Sequence, residues 1–274
     1  MDKDKNMDNS YSSPIALLTD FGHLDTFVGV LKGVILSINP KAVIVDLCHA
    51  VAPRDIGHGA FLLDTSLGYF PKGTIFCVVV DPGVGSSRRA VLVQTRDYVM
   101  VGPDNGILWQ AARRNGIQQA VHLTEIRYFL SSVSATFHGR DMFAPVAAHL
   151  SLGMEPSAFG PPVRDLISFA AAEPVPVENG LILTVQHIDT FGNICLNLTW
   201  EGFAPFLTSG FCLTVNHTHI TRYCETYGLA PENTPFVLTS SAGFLEIAVK
   251  NANAAAMLNV SRNDQVLLTA QGRA

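Results

Sequence analysis

The alternation of short apolar runs with helical patterns in the first hundred residues most limits the possible folds. Runs at residues 15–18, 42–47 and 74–80 have the length and composition of buried strands. Between them, apolar residues recur at helical spacing over 27–38 and again from about 55 to 67. A strand–helix–strand–helix order predicts a mostly parallel sheet with helices on both faces.

The pattern changes after residue 160. Four prolines between 161 and 176 interrupt a stretch of small residues, which is typical of a linker. Beyond it, the apolar residues alternate over short segments and indicate a small all-β domain. These segments are 181–186, 211–215, 235–239, 244–249 and 265–269.

Together these patterns predict two domains. The first thirteen residues are polar and charged and lack the apolar core of a signal peptide, so we interpret them as a flexible tail. The predicted organisation is a tail at 1–13, an α/β N-terminal domain with a mostly parallel sheet at 14–165, a linker at 166–178, and a smaller, β-rich C-terminal domain at 179–274.

The composition argues against several classes of function. The chain of 274 residues has a net charge of −5 and no run of Lys or Arg, which disfavours a nucleic-acid partner. Its strongly apolar stretches, such as 74–80, are too short to cross a bilayer. Five scattered cysteines without a C-x-x-C pair are typical of reduced thiols in a cytoplasmic protein. Charged residues make up only 15%, so we expect part of the surface to be buried against other subunits.

Polar residues follow each of the first three predicted strands. They are Asp20 with Asp25, Asp46 with His49, and Asp81 followed by a glycine-rich loop to Arg88. In an open α/β sheet, ligands bind beyond the carboxyl ends of the strands. Asp20 alone is equally well interpreted as the N-cap of the next helix. Three acidic strand ends in one half-domain favour a shared pocket over three separate caps.

The residues alone leave several chemistries open. Asp46, His49 and His58 suggest a metal site, but their spacing matches no familiar metal-binding motif. A histidine at a strand end is more often a hydrogen-bonded structural group. The loop 83–87 lacks the Lys-Ser/Thr ending of a phosphate-binding loop and the context of a serine nucleophile. His138, which precedes a predicted helix, suits helix capping and catalysis about equally.

Five motifs occur in order along nearly the whole chain from about Pro14 onwards, and together they are far more specific than any one of them. They are Thr19-Asp20-Phe21-Gly22 with Asp25 and Lys32-Gly33, Asp81-Pro82-Gly83-Val84-Gly85 with Arg88-Arg89, Phe137-His138-Gly139-Arg140-Asp141, Asp189-Thr190-Phe191-Gly192-Asn193, and Ser240 to Ala248. In this combination the chain resembles the S-adenosylmethionine hydroxide adenosyltransferases. These are relatives of the fluorinating and chlorinating enzymes that use the same substrate.

The resemblance implies a fold, an assembly and an activity. It implies an N-terminal α/β domain, a C-terminal β domain, and a homotrimer whose active sites lie between the N-terminal domain of one chain and the C-terminal domain of the next. The implied reaction is attack of water on the ribose C5′ carbon of S-adenosylmethionine, which releases adenosine and methionine. S-adenosylmethionine is the substrate, and neither a cofactor nor a metal is expected.

The resemblance also assigns substrate contacts by position in the motifs. They are Asp20 for the ribose diol, Asp25 and Asp189 for the methionine ammonium, Asn193 for the adenine, and Ser241 for the methionine carboxylate. The halogenating relatives carry an arginine after this serine, whereas Ala242 follows it here. The carboxylate contact is therefore expected to rest on backbone N–H groups.

Asp81, Arg88 and His138 match the set that distinguishes the hydroxide-using members from the halogenating ones. A carboxylate at Asp81 would repel a bare halide anion, which favours water as the nucleophile. A neighbouring arginine makes Asp81 a weak base, whereas the reference pKa of histidine, about 6.5, suits proton transfer near neutral pH. We therefore expect Asp81 and Arg88 to orient the water and His138 to receive its proton.

Three other functions rank below hydrolysis. A halogenase on the same fold would form a 5′-halo-adenosine. A non-catalytic sensor of S-adenosylmethionine or adenosine would bind without turnover. A metal-dependent hydrolase built on Asp46, His49 and His58 would lose its activity to a chelator.

Overall fold

The computed structural model describes residues 13–271, which form two compact units divided after Ala170. Residues 1–12, most of the predicted tail at 1–13, lie outside the described residues, as do 272–274. Each unit has its own sheet and its own apolar core. Within the described part of the chain, no helix is long and apolar enough to cross a membrane.

The N-terminal unit is built on a six-stranded sheet in the order β2-β1-β3-β5-β4-β6. Its strands are β1 (Ile15–Thr19), β2 (Ile44–Cys48), β3 (Ile75–Val79), β4 (Ala90–Thr95), β5 (Val99–Pro103) and β6 (Ile117–His122). Strands β2, β1, β3 and β5 pair in parallel, but β4 runs antiparallel to both of its neighbours. The prediction of a mostly parallel sheet is therefore wrong, because the sheet is mixed.

The short connection between β4 and β5 explains the reversed strand. The backbone N–H of Thr95 donates to the carbonyl of Tyr98 at 2.8 Å, and the Tyr98 N–H donates to Oγ1 of Thr95 at 3.2 Å. A turn this tight joins antiparallel strands, because a parallel crossover needs about a dozen residues. The apolar runs at 90–95 and 98–101 predict this hairpin. The sequence pattern does not predict the pairing of β6 with β4. This pairing gives β4 an antiparallel neighbour on each side.

Helices cover both faces of this sheet. They are α1 (Phe27–Ile38), α2 (Ile56–Ser66), α3 (Trp109–Asn115) and α4 (Ala144–Ser151), and α4 continues a π-helical turn at Gly139–Phe143. Because side chains alternate along a strand, Leu17 packs with α1 and α4 while Leu18 packs with α2 and α3. Strands β1, β2 and β3 are parallel, so the polar residues that follow them emerge at one edge of the sheet.

The C-terminal unit is an antiparallel sheet of eight strands. They are β7 (Val175–Val177), β8 (Gly180–Ile188), β9 (Ile194–Thr199), β10 (Phe211–Val215), β11 (Thr218–Ile220), β12 (Pro235–Thr239), β13 (Phe244–Val249) and β14 (Gln265–Ala270). Seven of them follow the order β11-β10-β14-β8-β9-β13-β12, and β7 pairs with β8. The unit also contains α5 (Trp200–Ser209) and α6 (Ala254–Leu258), two helices that the all-β prediction did not include.

Candidate active site

Asp81, Arg88 and His138 form one hydrogen-bonded group at the carboxyl edge of the N-terminal sheet, here called the Asp–Arg–His cluster. Nε of Arg88 donates to both carboxylate oxygens of Asp81, at 2.9 and 3.0 Å, and Nη2 donates to Oδ2. The same Nη2 lies 2.7 Å from Nδ1 of His138. The Arg88 and Asp81 side chains are only 9% and 6% exposed. The structure thus brings together three residues that two separate motifs singled out.

Two glycines allow close packing around the loops that carry this cluster. Gly85 has a φ of 77°, in the left-handed region, and a Cβ there would overlap the backbone oxygen of Ala135. Gly139 begins the π-helical turn next to His138, and a Cβ there would lie 3.3 Å from the Val79 side chain. A side chain at 85 would push the two loops apart, and one at 139 would crowd the Val79 side chain of β3. Single π-helical turns inside helices occur frequently at functional sites.

The contacts also determine where the protons of the cluster lie. A guanidinium only donates, so Nδ1 of His138 accepts from Arg88 and the proton of the neutral ring is on Nε2. Burial lowers the pKa of His138, and the positive charge of Arg88 lowers it further. Protonation of Nδ1 would break the contact with Arg88 and place two positive charges together. His138 is therefore held neutral, with Nε2–H as a donor.

An aromatic group that the sequence analysis did not assign lies beside this cluster. The rings of Phe21, Phe27 and Phe137 pack against one another with centroids 5.4 to 5.8 Å apart. Phe27 is 44% exposed, and Phe137 directly precedes His138. Exposed aromatic rings next to polar groups are typical of ligand pockets. The available signal was an aromatic residue inside each of two motifs.

Asp20 follows β1 directly and is held by the segment after β2. Its Oδ2 accepts from the backbone N–H of Arg54 at 2.8 Å. Arg54 has a φ of 65°, a left-handed conformation that costs a non-glycine residue about 1 kcal/mol or more. The N-cap of α1 is Thr26, so the interpretation of Asp20 as a helix cap is wrong. Asp25 lies in the exposed segment just before α1.

The histidines considered for a metal site have structural partners. Nδ1 of His49 lies 2.8 Å from Oγ1 of Thr19, and Nε2 lies 3.0 Å from Oδ1 of Asp46. Nδ1 of His58 accepts from the backbone N–H of Ala52 at 3.0 Å. Among residues 13–271, no three His, Cys, Asp or Glu side chains are grouped so as to hold a metal ion.

In the C-terminal unit, Asp189 closes the loop that leads into β9. Its Oδ1 accepts from the backbone N–H groups of Phe191 and Asn193, at 2.9 and 2.8 Å, and its Oδ2 accepts from Nδ2 of Asn193 at 2.9 Å. Gly192 completes the turn with a φ of 87°, and a Cβ there would overlap the Asn253 side chain. Because a carboxylate only accepts, Asn193 turns its NH₂ group toward Asp189. Its Oδ1 is the group left to face a ligand.

This loop lines a cavity of about 770 Å³, which is within the usual range for small-molecule sites. Phe191, Asn193, Tyr227 and Asn253 contribute to its wall. Phe191 is 78% exposed and Tyr227 is 46% exposed. Aromatic surfaces combined with side-chain amides suit a flat heteroaromatic ring, because the rings stack and the amides read its polar edge.

A buried carboxyl group supports one wall of the cavity. The Tyr227 hydroxyl donates to Oε1 of Glu246 at 2.6 Å, and Glu246 is only 7% exposed. Burial raises the pKa of Glu246, the Tyr227 hydrogen bond opposes that shift, and the negative charge of Asp189 adds to it. Neither residue is assigned a role by the motifs or by the resemblance. The available signal was a glutamate inside the otherwise apolar β13.

Ser241 does not lie with Asp189 and Asn193. It is exposed in the turn between β12 and β13. The register of β9 with β13 places Ser241 beyond the Thr199 end of β9, whereas Asn193 precedes Ile194 at the other end. At the usual rise per residue, the two positions are roughly 15 Å apart. The structure therefore brings Asp189 and Asn193 together and leaves Ser241 at the far end of the strands.

The fold and the site place the chain in a class of two-domain proteins. In this class, the N-terminal α/β domain carries an Asp–Arg–His cluster, and the antiparallel C-terminal domain carries a cavity suited to a heteroaromatic ring. Comparison with known families gives the particular family: residues 15–160 match the N-terminal domain of the SAM hydroxide adenosyltransferases, and residues 183–267 match the C-terminal domain. The chain belongs to this family, which confirms the resemblance found in the motifs.

Individual relatives agree with this placement. An (R)-S-adenosyl-L-methionine hydrolase from Salinispora arenicola is 37% identical over 259 residues, which is 93% of this chain and 97% of that protein. A fluorinase from Actinopolyspora mzabensis is 26% identical over 96% of this chain and 99% of that protein. A crystal structure of an uncharacterized conserved protein from Thermotoga maritima has a TM-score of 0.87 and 35% identity, and covers 93% of this chain and 99% of that chain. The chain is thus more similar to the hydrolase than to the fluorinase.

Proposed function

We propose that this protein hydrolyses S-adenosylmethionine to adenosine and methionine by attack of water at the ribose C5′ carbon. The Asp–Arg–His cluster is the observation that carries the proposal. Its carboxylate is nearly buried and fixed by a guanidinium, and it lies beside an imidazole with a donating Nε2–H. Such a group is suited to holding one oriented water molecule. Relatives that are 32% to 37% identical and are named as hydrolases of this substrate support the same reaction.

The chemistry asks for alignment more than for strong acid–base catalysis. A lone pair of the water oxygen forms the bond to C5′ while the C5′–sulfur bond breaks and leaves its electron pair on sulfur. The sulfonium becomes the neutral thioether of methionine, so the leaving group needs no proton. The products are adenosine, methionine and one proton. Holding the oxygen about 3 Å from the carbon, opposite the sulfur, supplies ~7–11 kcal/mol of the barrier.

We assign the released proton to Asp81 and not to His138. As the carbon–oxygen bond forms, the oxygen gains positive charge and becomes strongly acidic, so a weak base suffices. A carboxylate has about four lone-pair positions, and Arg88 directs two N–H groups at those of Asp81, with its Nε–H shared between both oxygens. His138 donates from Nε2 and orients the water. This assignment replaces the expectation that His138 receives the proton, because protonation would set its charge against that of Arg88.

Two substitutions separate these roles. Asp81→Asn should lower kcat by about 10²-fold or more, since it removes the proton acceptor. His138→Gln should keep a larger share of kcat, because the Gln amide still donates toward the water. Retained turnover in Asp81→Asn together with an inactive His138→Gln variant would return the role of base to the histidine.

The charge of the cluster favours water over a halide. Asp81 neutralises Arg88, so no net positive charge is left to bind an anion, and the nearly buried carboxylate repels one. Reactions supplemented with chloride or fluoride should therefore yield adenosine alone. A 5′-halo-adenosine product would instead support a halogenase.

The substrate contacts follow from the same geometry. We propose that Oδ1 of Asn193 accepts a hydrogen bond from the adenine amino group and that Asp20 binds the ribose diol. Asp25 is assigned to the methionine ammonium, and Ser241 with its neighbouring backbone N–H groups to the carboxylate. Asp189 was expected at the ammonium, but its own loop occupies three of its acceptor positions. We assign it to orienting Asn193.

We extend to this chain the R configuration at sulfur that the names of the related hydrolases specify. Inversion at sulfur exchanges the methyl group and the lone pair but leaves the C5′–sulfur bond in place. An enzyme that aligns water with that bond therefore distinguishes the epimers by the space left for the methyl group. Assays on the separated epimers should show faster consumption of the R form, and equal rates would contradict this extension.

The exposed apolar side chains and the free cysteines bear on the assembly and location of the protein. A homotrimer with active sites between subunits would cover apolar side chains that the single chain exposes, such as Leu24, Phe27 and Val43. Light scattering should give three times the mass of one chain, and a monomer would contradict the proposal.

We place the protein in the cytoplasm because its five cysteines are all free thiols.

Isotope labelling tests the reaction itself. Purified protein incubated with S-adenosylmethionine in ¹⁸O-water should release methionine and adenosine labelled at the 5′ oxygen, as read by mass spectrometry. Intact substrate after long incubation, despite binding measured by calorimetry, would contradict hydrolysis and support a sensor of S-adenosylmethionine.

A further inference from the structure

We propose that His49 is a positioning residue that sets the turn carrying Asp20, through a directed chain of hydrogen bonds. The inference rests on the proposed function, in which Asp20 binds the ribose diol. Neither the motifs nor the resemblance gives His49 a part in the reaction. Its ring lies behind the turn, with a side chain that is 0% exposed, so it acts on the substrate only through other residues.

The chain of hydrogen bonds begins at α1 and ends in the turn after β1. Nζ of Lys32 donates to Oδ2 of Asp46 at 2.6 Å, and Oδ1 of Asp46 lies 3.0 Å from Nε2 of His49. Nδ1 of His49 lies 2.8 Å from Oγ1 of Thr19, and this oxygen accepts from the backbone N–H of Phe21 at 3.2 Å. Four side chains therefore connect α1 and β2 to the backbone of the turn.

For a neutral His49 ring, one arrangement of protons satisfies every link. The Asp46 carboxylate only accepts, so the His49 ring proton is on Nε2 and Nδ1 is an acceptor. The Thr19 hydroxyl then donates to Nδ1 and keeps its lone pairs for the Phe21 N–H. A histidine with both ring nitrogens protonated would reverse the Thr19 hydroxyl and break this order.

The surroundings of His49 keep it in the neutral form that this chain requires. Burial lowers its pKa, the hydrogen bond and charge of Asp46 oppose that shift, and the charges of His23 and Lys32 add to it. The His23 ring packs edge to face on His49, with centroids 5.2 Å apart. On balance the pKa of His49 is lowered, which favours the neutral ring.

The backbone of the same segment holds the turn at two more points. The carbonyl of His49 accepts from the N–H of Gly22 at 2.7 Å, and the N–H of Arg54 donates to the Asp20 carboxylate at 2.8 Å. His49 is thus hydrogen-bonded to the turn on both sides of Asp20, to Thr19 before it and to Gly22 after it. A ligand that needs both ribose hydroxyls bound at once is sensitive to small shifts of such a carboxylate.

The test is discrimination between adenosine and 2′-deoxyadenosine, because only the former offers a diol to Asp20. His49→Leu should weaken adenosine binding by about 5- to 100-fold, the usual effect of losing buried hydrogen bonds. Binding of 2′-deoxyadenosine should change much less, so the preference for adenosine falls. In turnover, KM for S-adenosylmethionine should rise by a similar factor while kcat changes much less. Thr19→Val, which removes the hydroxyl link at nearly constant volume, should reproduce the effect if His49→Leu does not fold.

His149→Leu is the control, because His149 is another histidine of the N-terminal unit, a half-buried ring in α4 that packs on Tyr128. It should lower the melting temperature without changing the preference for adenosine. In an Asp20→Ala background, His49→Leu should have no further effect on diol discrimination. Folded His49→Leu and Thr19→Val variants that keep the wild-type preference would overturn the inference. Wild-type protein that neither binds adenosine nor consumes S-adenosylmethionine would instead contradict the proposed function.

Discussion

Asp189→Asn should change which purine the C-terminal cavity prefers. In the wild-type loop, the Asp189 carboxylate binds the NH₂ group of Asn193 and leaves Oδ1 of that amide as an acceptor. An acceptor suits adenine, which carries an amino group at C6. An amide at position 189 keeps an oxygen for the two backbone N–H groups but presents NH₂ where Oδ2 had been. Asn193 must then turn its oxygen inward and its NH₂ group toward the ligand.

The expected size follows from one mismatched hydrogen bond. A buried polar group left without a partner costs about 1–3 kcal/mol, which is about 5- to 150-fold in affinity. The Kd for adenosine should rise by that factor. The Kd for inosine, which has a carbonyl at C6, should fall in the same proportion. Titration calorimetry of both nucleosides with the wild-type and Asp189→Asn proteins measures the ratio directly.

Asn193→Ala is the control for this prediction. It removes the amide altogether, so it should weaken adenosine binding without creating a preference for inosine. If folded Asp189→Asn protein keeps the wild-type ratio of the two affinities, then Asp189 does not orient Asn193 and the reasoning is refuted.

Three further predictions concern stability and metal dependence. Gly192→Ala should destabilise the protein by about 2 kcal/mol or more in urea unfolding, and Gly243→Ala by about 1, because both glycines have positive φ but only the Cβ at 192 would overlap Asn253. Equal effects would contradict the steric argument. The pKa of Glu246 is raised in the folded state, so its ionisation destabilises the fold as pH rises above 4.5. Glu246→Gln should therefore raise the melting temperature at pH 8 and change it little at pH 4, and the opposite order would be inconsistent with a raised pKa. Treatment with EDTA should leave hydrolysis unchanged, and a loss restored by added metal would support the metal-dependent alternative.

Local periodicity determined most of the secondary structure. Helix α1 and strands β10, β12 and β13 have the bounds that the apolar pattern predicts, because burial of one face imposes the period directly on the sequence. Helix α5 was not predicted, since Gly202 and Pro205 interrupt its pattern. It forms nevertheless around Phe203, whose side chain is fully buried. Packing in the tertiary structure therefore overrides two residues that locally disfavour a helix.

The sequence by itself also determined the family and the residues Asp81, Arg88 and His138, because motif order survives as a linear pattern. Only the tertiary structure decided what these residues do. The direction of a hydrogen bond depends on which donor meets which acceptor, and Arg88 meets Nδ1 of His138 only in the folded chain. The same holds for Asp189, which binds its own loop, and for Ser241, which lies a strand's length away. The sequence shows which residue types occur at which spacing. The protonation and orientation of their side chains depend on contacts between residues that are distant in sequence.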